Sequence, residues 1–352
     1  MPVTLTKNQF SNKLHVRRGA HPARRAGRPE RELVIGLLNN MSVTALEATE
    51  RQFTAMLNSA SDGFSIHLKR YFFPEILQGD SAALYRDLGY ESVESLWDSE
   101  LDGLIVTGRE PLTPSLRDEP YWNSFVRVLD WARNHACSTI WSCLAAHAAV
   151  LHMDGIQRVR SEQKHSGIFD CTRVSDHPIA AGVPDRFRLP HSRWNGLAEA
   201  DLTRCGYEVI TKTEQAGVDS FVKQERGLFL FFQGHPEYQS ETLLLEYRRD
   251  VGRFLRGESS SYPGVPRGYF GEEALRELAE IQRQAAERPL EETVERLAAL
   301  FSATSRENGW HASASTIYRN WLERIASEKQ LRAESSHAAP VTAPALASAG
   351  AL

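Results

Sequence analysis

Hydrophobic positions fall in short blocks separated by polar breaks. In "ELVIGLLNN" an apolar run from Leu33 to Leu38 stops at two asparagines, and "ALEATERQFTAML" then places Leu46, Phe53 and Leu57 at helical spacing. "FSIHLKRYF" alternates as a half-buried strand does, "LDGLIVTG" is a short buried strand ending in glycine, and "YWNSFVRVLDWARNH" is an amphipathic helix. "STIWSCLAAHAAVLHM" joins a β-branched apolar run to an alanine-rich helical run, with Cys143 at the junction. Short apolar strands alternating with helices predict an α/β fold, a mostly parallel sheet with helices on both faces. Ligands of such sheets sit beyond the carboxyl ends of the strands, where "VTG" and "WSC" both end.

Beyond Gly155 the pattern is more mixed. "GYEVI", "SFVKQ" and "GLFLFFQG" are predicted strands, and "ETLLLEYRRDVGRFL" a helix with its cations late. "ALRELAEIQRQAAE", "LEETVERLAALFSA" and "STIYRNWLERIASEK" are helical, and their apolar stripes need a partner, so this extension (263–330) is expected to pack on the α/β core. "SEQKHSG" and "LPHSRWNGL" are polar clusters with no evident helical or strand period, of a kind suited to anionic ligands. One domain is expected over 32–330. The arginine-rich, apolar-poor segment 1–31 and the Ala/Pro/Ser-rich segment 331–352 are expected to be disordered tails.

Composition narrows the classes. With 352 residues and 41% hydrophobic residues the chain can build a substantial core, and a formal net charge of −4 gives no global basic field for nucleic acid. No apolar stretch approaches the roughly 18 residues of a membrane span. Cys137, Cys143, Cys171 and Cys205 are widely spread with no C-x-x-C pair, which predicts neither a disulfide framework nor a metal site and fits a reducing, cytoplasmic setting. The basic leader lacks an amphipathic apolar face, so a solvated tail is expected rather than an organelle-targeting peptide.

Two motifs carry candidate chemistry. A thiol becomes a good nucleophile where a helix N-terminus or an imidazolium stabilises its thiolate, and Cys143 is placed for the first of these. Taken alone it is equally a small buried hydrophobe. "GLFLFFQGHPEYQSE" is an apolar strand that stops at Gly234 and then presents His235 and Glu237. Residues two apart in extended chain point the same way, so the carboxylate can fix the tautomer of the imidazole and stabilise its charged form. Alone, "HPE" is a turn after a strand. His147, four residues past Cys143, is a second base that spacing allows, although packing behind the thiol is the expected role.

Taken together, "DGLIVTG", "STIWSCLAAHAAVLHMDGI", "SEQKHSG", "PHSRW", "GHPEYQSETLLLEYRRDV" and "WHASASTIYRNWL" resemble, in order from about Val34 to Ile325, the homoserine O-succinyltransferase family of methionine-pathway acyltransferases. The resemblance implies a flavodoxin-like fold related to class I glutamine amidotransferases. It also implies a ping-pong mechanism with Cys143 as acylated nucleophile, His235 as general base and Glu237 as its orienting partner. Ser192 and Arg249 are implied to hold the polar groups of the amino acid, and Lys164 to lie by the substrate. Acyl-CoA is then a co-substrate and no cofactor is expected; the partners are small molecules, not nucleic acid or membrane, and a homodimer is compatible with this.

Two departures bear on the acyl donor. The family's lysine pair near Met41 is absent here, and the position implied to select the donor, glycine for succinyl and glutamate for acetyl, falls on Leu112. Both weigh against a strict succinyl preference, with Arg109 as a substitute cation. The acceptor could also be another hydroxy amino acid such as serine. An amidotransferase-like thiol enzyme is disfavoured because no "GxxxxGK[ST]" accompanies the motifs, and a non-enzymatic binding protein because Cys143, His235 and Glu237 are all present.

Overall fold

The structure, a computed structural model, describes residues 3–5, 31–77, 81–136, 138–285, 290–303 and 309–337. Within them eleven strands form one mixed sheet. The strands are β1 (Val3–Leu5), β2 (Arg31–Leu38), β3 (Phe64–Phe72), β4 (Glu91–Ser92), β5 (Gly103–Val106), β6 (Ser138–Ser142), β7 (Val159–Arg173), β8 (Arg186–Gly196), β9 (Glu208–Thr213), β10 (Gly217–Gln224) and β11 (Leu228–Phe232). The α-helices are α1 (Val43–Ala60), α2 (Ser81–Asp87), α3 (Trp122–His135), α4 (Leu144–Asp154), α5 (Glu199–Arg204), α6 (Thr242–Leu255), α7 (Glu272–Gln284), α8 (Leu290–Ala303) and α9 (His311–His337).

In space the strands run β1, β3, β2, β5, β6, β11, β10, β9, β7, β8, with β4 beside β3. Pairing is parallel from β1 through to β11 and antiparallel from β11 to β8. The central strands β5, β6 and β11 are buried along their whole length, which is why they read as unbroken apolar runs. Their alternation feeds two cores. Leu228, Leu230 and Phe232 of β11 face one side with Ile105, Ile140, Phe53 of α1 and Trp321 of α9. Phe229 and Phe231 face the other with Val106, Trp141, Phe125 of α3 and Val150 of α4. The doubly covered, mostly parallel sheet is the predicted one.

Three expectations are corrected. "SEQKHSG" and "LPHSRWNGL" are not aperiodic clusters but parts of β7 and β8, paired antiparallel from Val159↔Gly196 to Thr172↔Arg186 with a bulge between Arg160 and His165. Both carry polar residues on both faces, so they offered no apolar alternation to detect. Within the tail expected over 1–31, Val3–Leu5 pair with Ile66–Leu68 of β3 and Arg31 opens β2; the rest of that tail lies outside the described residues. At the other end α9 runs on to His337, past the expected boundary at 331; 338–352 and Cys137 lie outside the described residues.

The C-terminal extension belongs to the core. At about 1.5 Å per residue, α9 spans roughly the full depth of the sheet. Just before it, the indole of Trp310 donates to the Tyr238 carbonyl (3.0 Å) beyond the carboxyl end of β11. Toward its far end Lys329 pairs with Asp102 (2.8 Å) at the amino end of β5. Between them Trp321 is fully buried, its Nε1 donating to Ser138 Oγ (2.9 Å). Gly103 makes room for it, since a Cβ there would lie 3.0 Å from the Trp321 ring and 2.7 Å from Ile325 Cδ1. A satellite core joins α6, α7 and α8 through Leu244, Tyr247, Leu278, Leu297 and Phe301. Among the described residues no helix is long and apolar enough to cross a membrane.

Trp321→Ala removes a buried aromatic and the partner of a buried hydroxyl, and is expected to cost about 3–5 kcal/mol of stability. Urea unfolding checks this. A loss below about 1 kcal/mol would show that α9 is an accessory module and not part of the core.

Candidate active site

Cys143 lies at the turn from β6 into α4 with φ 52° and ψ −112°, the one non-glycine residue with positive φ among those described. Its N–H donates to the Phe232 carbonyl (2.7 Å), which continues the β6–β11 pairing one step past the strands. Its carbonyl begins α4 by accepting from Ala146 N (3.0 Å). A backbone forced into this sparsely populated region is the signature of a nucleophile elbow, and it sets the thiol over the positive end of an eleven-residue helix. Gly108, just past β5, abuts the turn: a Cβ on it would lie 2.6 Å from Leu144 N and 2.9 Å from Ser142 O. Glycine at 108 therefore leaves the first helical N–H open to a ligand atom, as this N–H has no acceptor within its own helix.

On the other flank, β11 delivers His235 and Glu237. Nδ1 of His235 bonds Glu237 Oε1 at 2.8 Å, and both side chains are buried. Nε2 is thereby left for the side of Cys143, which lies close enough to act on the imidazole electrostatically. Burial alone would strip the imidazole of its proton. The Glu237 carboxylate, its hydrogen bond to the ring and the nearby Cys143 outweigh it and hold the His235 pKa well above 6.5. The Tyr238 ring stacks on the imidazole with centroids 4.1 Å apart, and its hydroxyl donates to Glu246 of α6 (2.7 Å).

The second candidate base is excluded. His147 is buried and donates through Nε2 to Gln233 Oε1 (2.9 Å), and burial pushes its pKa down to about 3. It is a neutral strut, as its place in an alanine-rich turn implied. Gln233 also accepts from Leu197 N (3.0 Å) and donates to the Val218 carbonyl (2.7 Å), anchoring the strand end that carries His235.

Beneath Gly234 lies a buried polar group that sequence reasoning missed. His191 Nε2 approaches Asp219 Oδ1 to 3.2 Å, and Arg193 Nε donates to His191 Nδ1 (3.3 Å). A Cβ on Gly234 would sit 2.5 Å from Asp219 Oδ1, so the strand end rests directly on this group. Cys171, His191 and Asp219 are close enough together to share a metal ion. Their chemistry argues against it: burial raises the Cys171 thiol pKa, and the Arg193 guanidinium already occupies His191. They serve as a brace.

Of the expected substrate residues, Ser192, Lys164 and Arg249 converge on α6. Ser192 Oγ donates to Glu246 Oε2, Lys164 Nζ pairs with Asp250 (2.9 Å), and Arg249 pairs with the other oxygen of Asp250 (2.8 Å). Glu246, shared by Tyr238 and Ser192, links them to the His235 stack. Arg109 and Leu112 belong to a different flank, the loop after β5. Leu112 is 53% exposed, and it is its backbone N–H that Glu119 holds (2.8 Å). Tyr238, Glu246 and Asp250 lay in the quoted motif but had no local period or pairing rule to mark them.

Residues 15–331 match the family profile described as homoserine O-succinyltransferase. A protein of that name from Rhodopseudomonas palustris is 44% identical over 301 residues, 85% of this chain and 90% of its own. Another from Methylorubrum extorquens is 41% identical over 307 residues, 86% of this chain and 90% of its own. The crystal structure of a glutamine amido transferase from Methylobacillus flagellatus overlaps 84% of this chain and 96% of its own at 14% identity, with a TM-score of 0.45. With the profile spanning nearly the whole chain and relatives above 40% identity along most of its length, the chain belongs to the homoserine O-succinyltransferase family.

Proposed function

We propose that this protein transfers a succinyl group from succinyl-CoA to the hydroxyl of L-homoserine through a thioester on Cys143. The observation that carries this is the strained thiol at the α4 N-terminus beside the His235–Glu237 couple. Relatives named homoserine O-succinyltransferase supply the substrate class.

In the first half-reaction the Cys143 thiolate attacks the acyl carbon, the carbon–sulfur bond to CoA breaks, and the departing thiolate takes the proton of the His235 imidazolium. In the second, His235, now neutral, accepts the proton of the acceptor hydroxyl as its oxygen attacks the Cys143 thioester. The ester leaves, and thiolate and imidazolium are restored. The oxyanion of each tetrahedral intermediate is suited by the Leu144 N–H at the positive helix end beside Gly108. Glu237 holds Nδ1 and so keeps the imidazole in the orientation that turns Nε2 to the sulfur. Arg249, 46% exposed in its side chain, can present a guanidinium to the carboxylate of the amino acid, with Ser192 and Lys164 beside it.

Cys143→Ser is expected to abolish transfer, because a hydroxyl at its ordinary pKa is far less nucleophilic than an ionised thiol. Intact-mass analysis after succinyl-CoA treatment is expected to show one succinyl group on the wild type, mapped to Cys143. Acylation at Cys171 or Cys205 with Cys143 dispensable would contradict the assignment.

His235→Asn is expected to cost ~10²–10⁴-fold in kcat, and Glu237→Gln less, because the carboxylate only orients and stabilises the base. Glu237 raises the His235 pKa, so its loss lowers that pKa and removes imidazolium near neutral pH. Alkylation of Cys143 by iodoacetamide at pH 7 is then expected to slow in Glu237→Gln. Unchanged alkylation together with near-wild-type activity in both variants would reduce "HPE" to a turn.

A further inference from the structure

The flank of Cys143 opposite His235 holds four inward polar atoms with no hydrogen-bond partner among the described residues: Asn40 Oδ1, Arg109 Nη1, Glu119 Oε2 and Arg158 Nη1. They surround Tyr121. Its ring centroid lies 5.9 Å from the Arg109 guanidinium carbon, and the phenol is within reach of Asn40, Glu119 and Arg158. Each neighbour is anchored by its remaining atoms. Arg158, just before β7, donates through Nη2 to the Pro114 carbonyl (3.2 Å). Arg109 donates through Nε to the Glu110 carbonyl (3.3 Å), and Glu119 Oε1 accepts from the backbone of Leu112 (2.8 Å) and Thr113 (3.0 Å). Neither guanidinium comes within 4 Å of a carboxylate among the described residues.

Unpaired buried donors are costly, and a cluster of them marks a place where a polar group is expected to sit. Its net formal charge, two arginines against one glutamate, is matched by one carboxylate. The topology says which one. In the order β5, β6, β11, the thiol is flanked by His235 on the β11 side and by Gly108 and Arg109 on the β5 side. An acceptor hydroxyl must come between Cys143 and His235, so the acyl chain is left to run toward β5. Arg158 lies within electrostatic reach of Cys143 on that side.

We propose that Arg158, with Arg109, forms the subsite for the distal carboxylate of a dicarboxylic acyl donor, and so selects such a donor over an uncharged one. This rests on the assignment of Cys143 as the acylated residue. The donor's two ends are then held by different flanks, the thioester at the α4 N-terminus and the carboxylate between the loop after β5 and the start of β7. Leu112 contributes through its backbone, as the residue that Glu119 ties down.

Binding without chemistry tests it. In the full chain carrying Cys143→Ala, dissociation constants are measured for succinyl-CoA and for butyryl-CoA, which carries a methyl in place of the distal carboxylate. Adding Arg158→Gln is expected to cut the preference for succinyl over butyryl by ~10–100-fold, and Arg158→Lys to cut it less. Butyryl-CoA binding serves as the check that each variant keeps its pocket. An unchanged ratio in Arg158→Gln would overturn the proposal and leave the cluster to bridging waters. An unchanged ratio with weakened homoserine binding would assign the anion to the acceptor instead, and overturn it as well. Failure of wild-type Cys143 to be acylated, with the ratio still dependent on Arg158, would remove the covalent step and leave the subsite.

Discussion

The hydrogen bond from the Cys143 N–H to the Phe232 carbonyl is the contact on which the site depends. β6 and β11 pair in parallel from Leu228↔Ser138 to Phe232↔Ser142, and this bond carries the pairing one residue further, into the turn. In a parallel pair both chains leave the sheet at the same edge, so whatever follows Phe232 emerges beside whatever follows Ser142. A slip of one residue would turn Phe232 from one core to the other and move His235 away from the thiol. The apolar packing of β11 on both faces is what forbids that slip, and thus what holds His235 in line with Cys143.

Charge is organised around that alignment. A buried imidazolium is unfavourable by itself, and here it is favoured because the Glu237 carboxylate lies on Nδ1 and Cys143 is within electrostatic reach. His147, far nearer to Cys143 in sequence, has only the neutral Gln233 amide as partner, and burial holds its pKa low. The two histidines differ in surroundings rather than in burial, and that difference alone separates the raised pKa of His235 from the lowered one of His147. Below them Arg193, His191 and Asp219 place opposite charges at the two ends of one short chain, so the strand end carrying His235 rests on a brace without an uncompensated ion nearby.

The helices outside the α/β pattern hold the two flanks of the thiol. α6 presents Glu246 and Asp250 to Tyr238, Ser192, Lys164 and Arg249, and through Arg253 it grips Glu110 of the loop after β5 (2.9 Å). The His235 flank and the loop after β5 are therefore tied to one helix. Trp310 and α9 back this arrangement from the core side, since the Tyr238 carbonyl that Trp310 holds belongs to the residue stacked on His235.

Local chemistry was legible in the chain itself. The period of β2, β5, β6 and β11, the thiol at a strand-to-helix junction and the histidine two residues before a carboxylate all depend on neighbours in sequence, and pattern exposes them. Pairing between distant segments leaves no such trace when both partners are polar: β7 and β8 hide because Ser192 faces Glu246 on one side while Arg193 is buried against backbone carbonyls on the other. Arg158 went unmarked for the same reason, as nothing in "DGIQRVRS" tells that its guanidinium comes to lie with Arg109 and Glu119, some forty residues earlier, beside Cys143. The sequence by itself determined the apolar strands and the amphipathic helices, and marked Cys143, His235 and Glu237 as candidates. Only the tertiary structure decided which histidine is charged and which arginines face the thiol, because both depend on what the fold brings within a few ångströms.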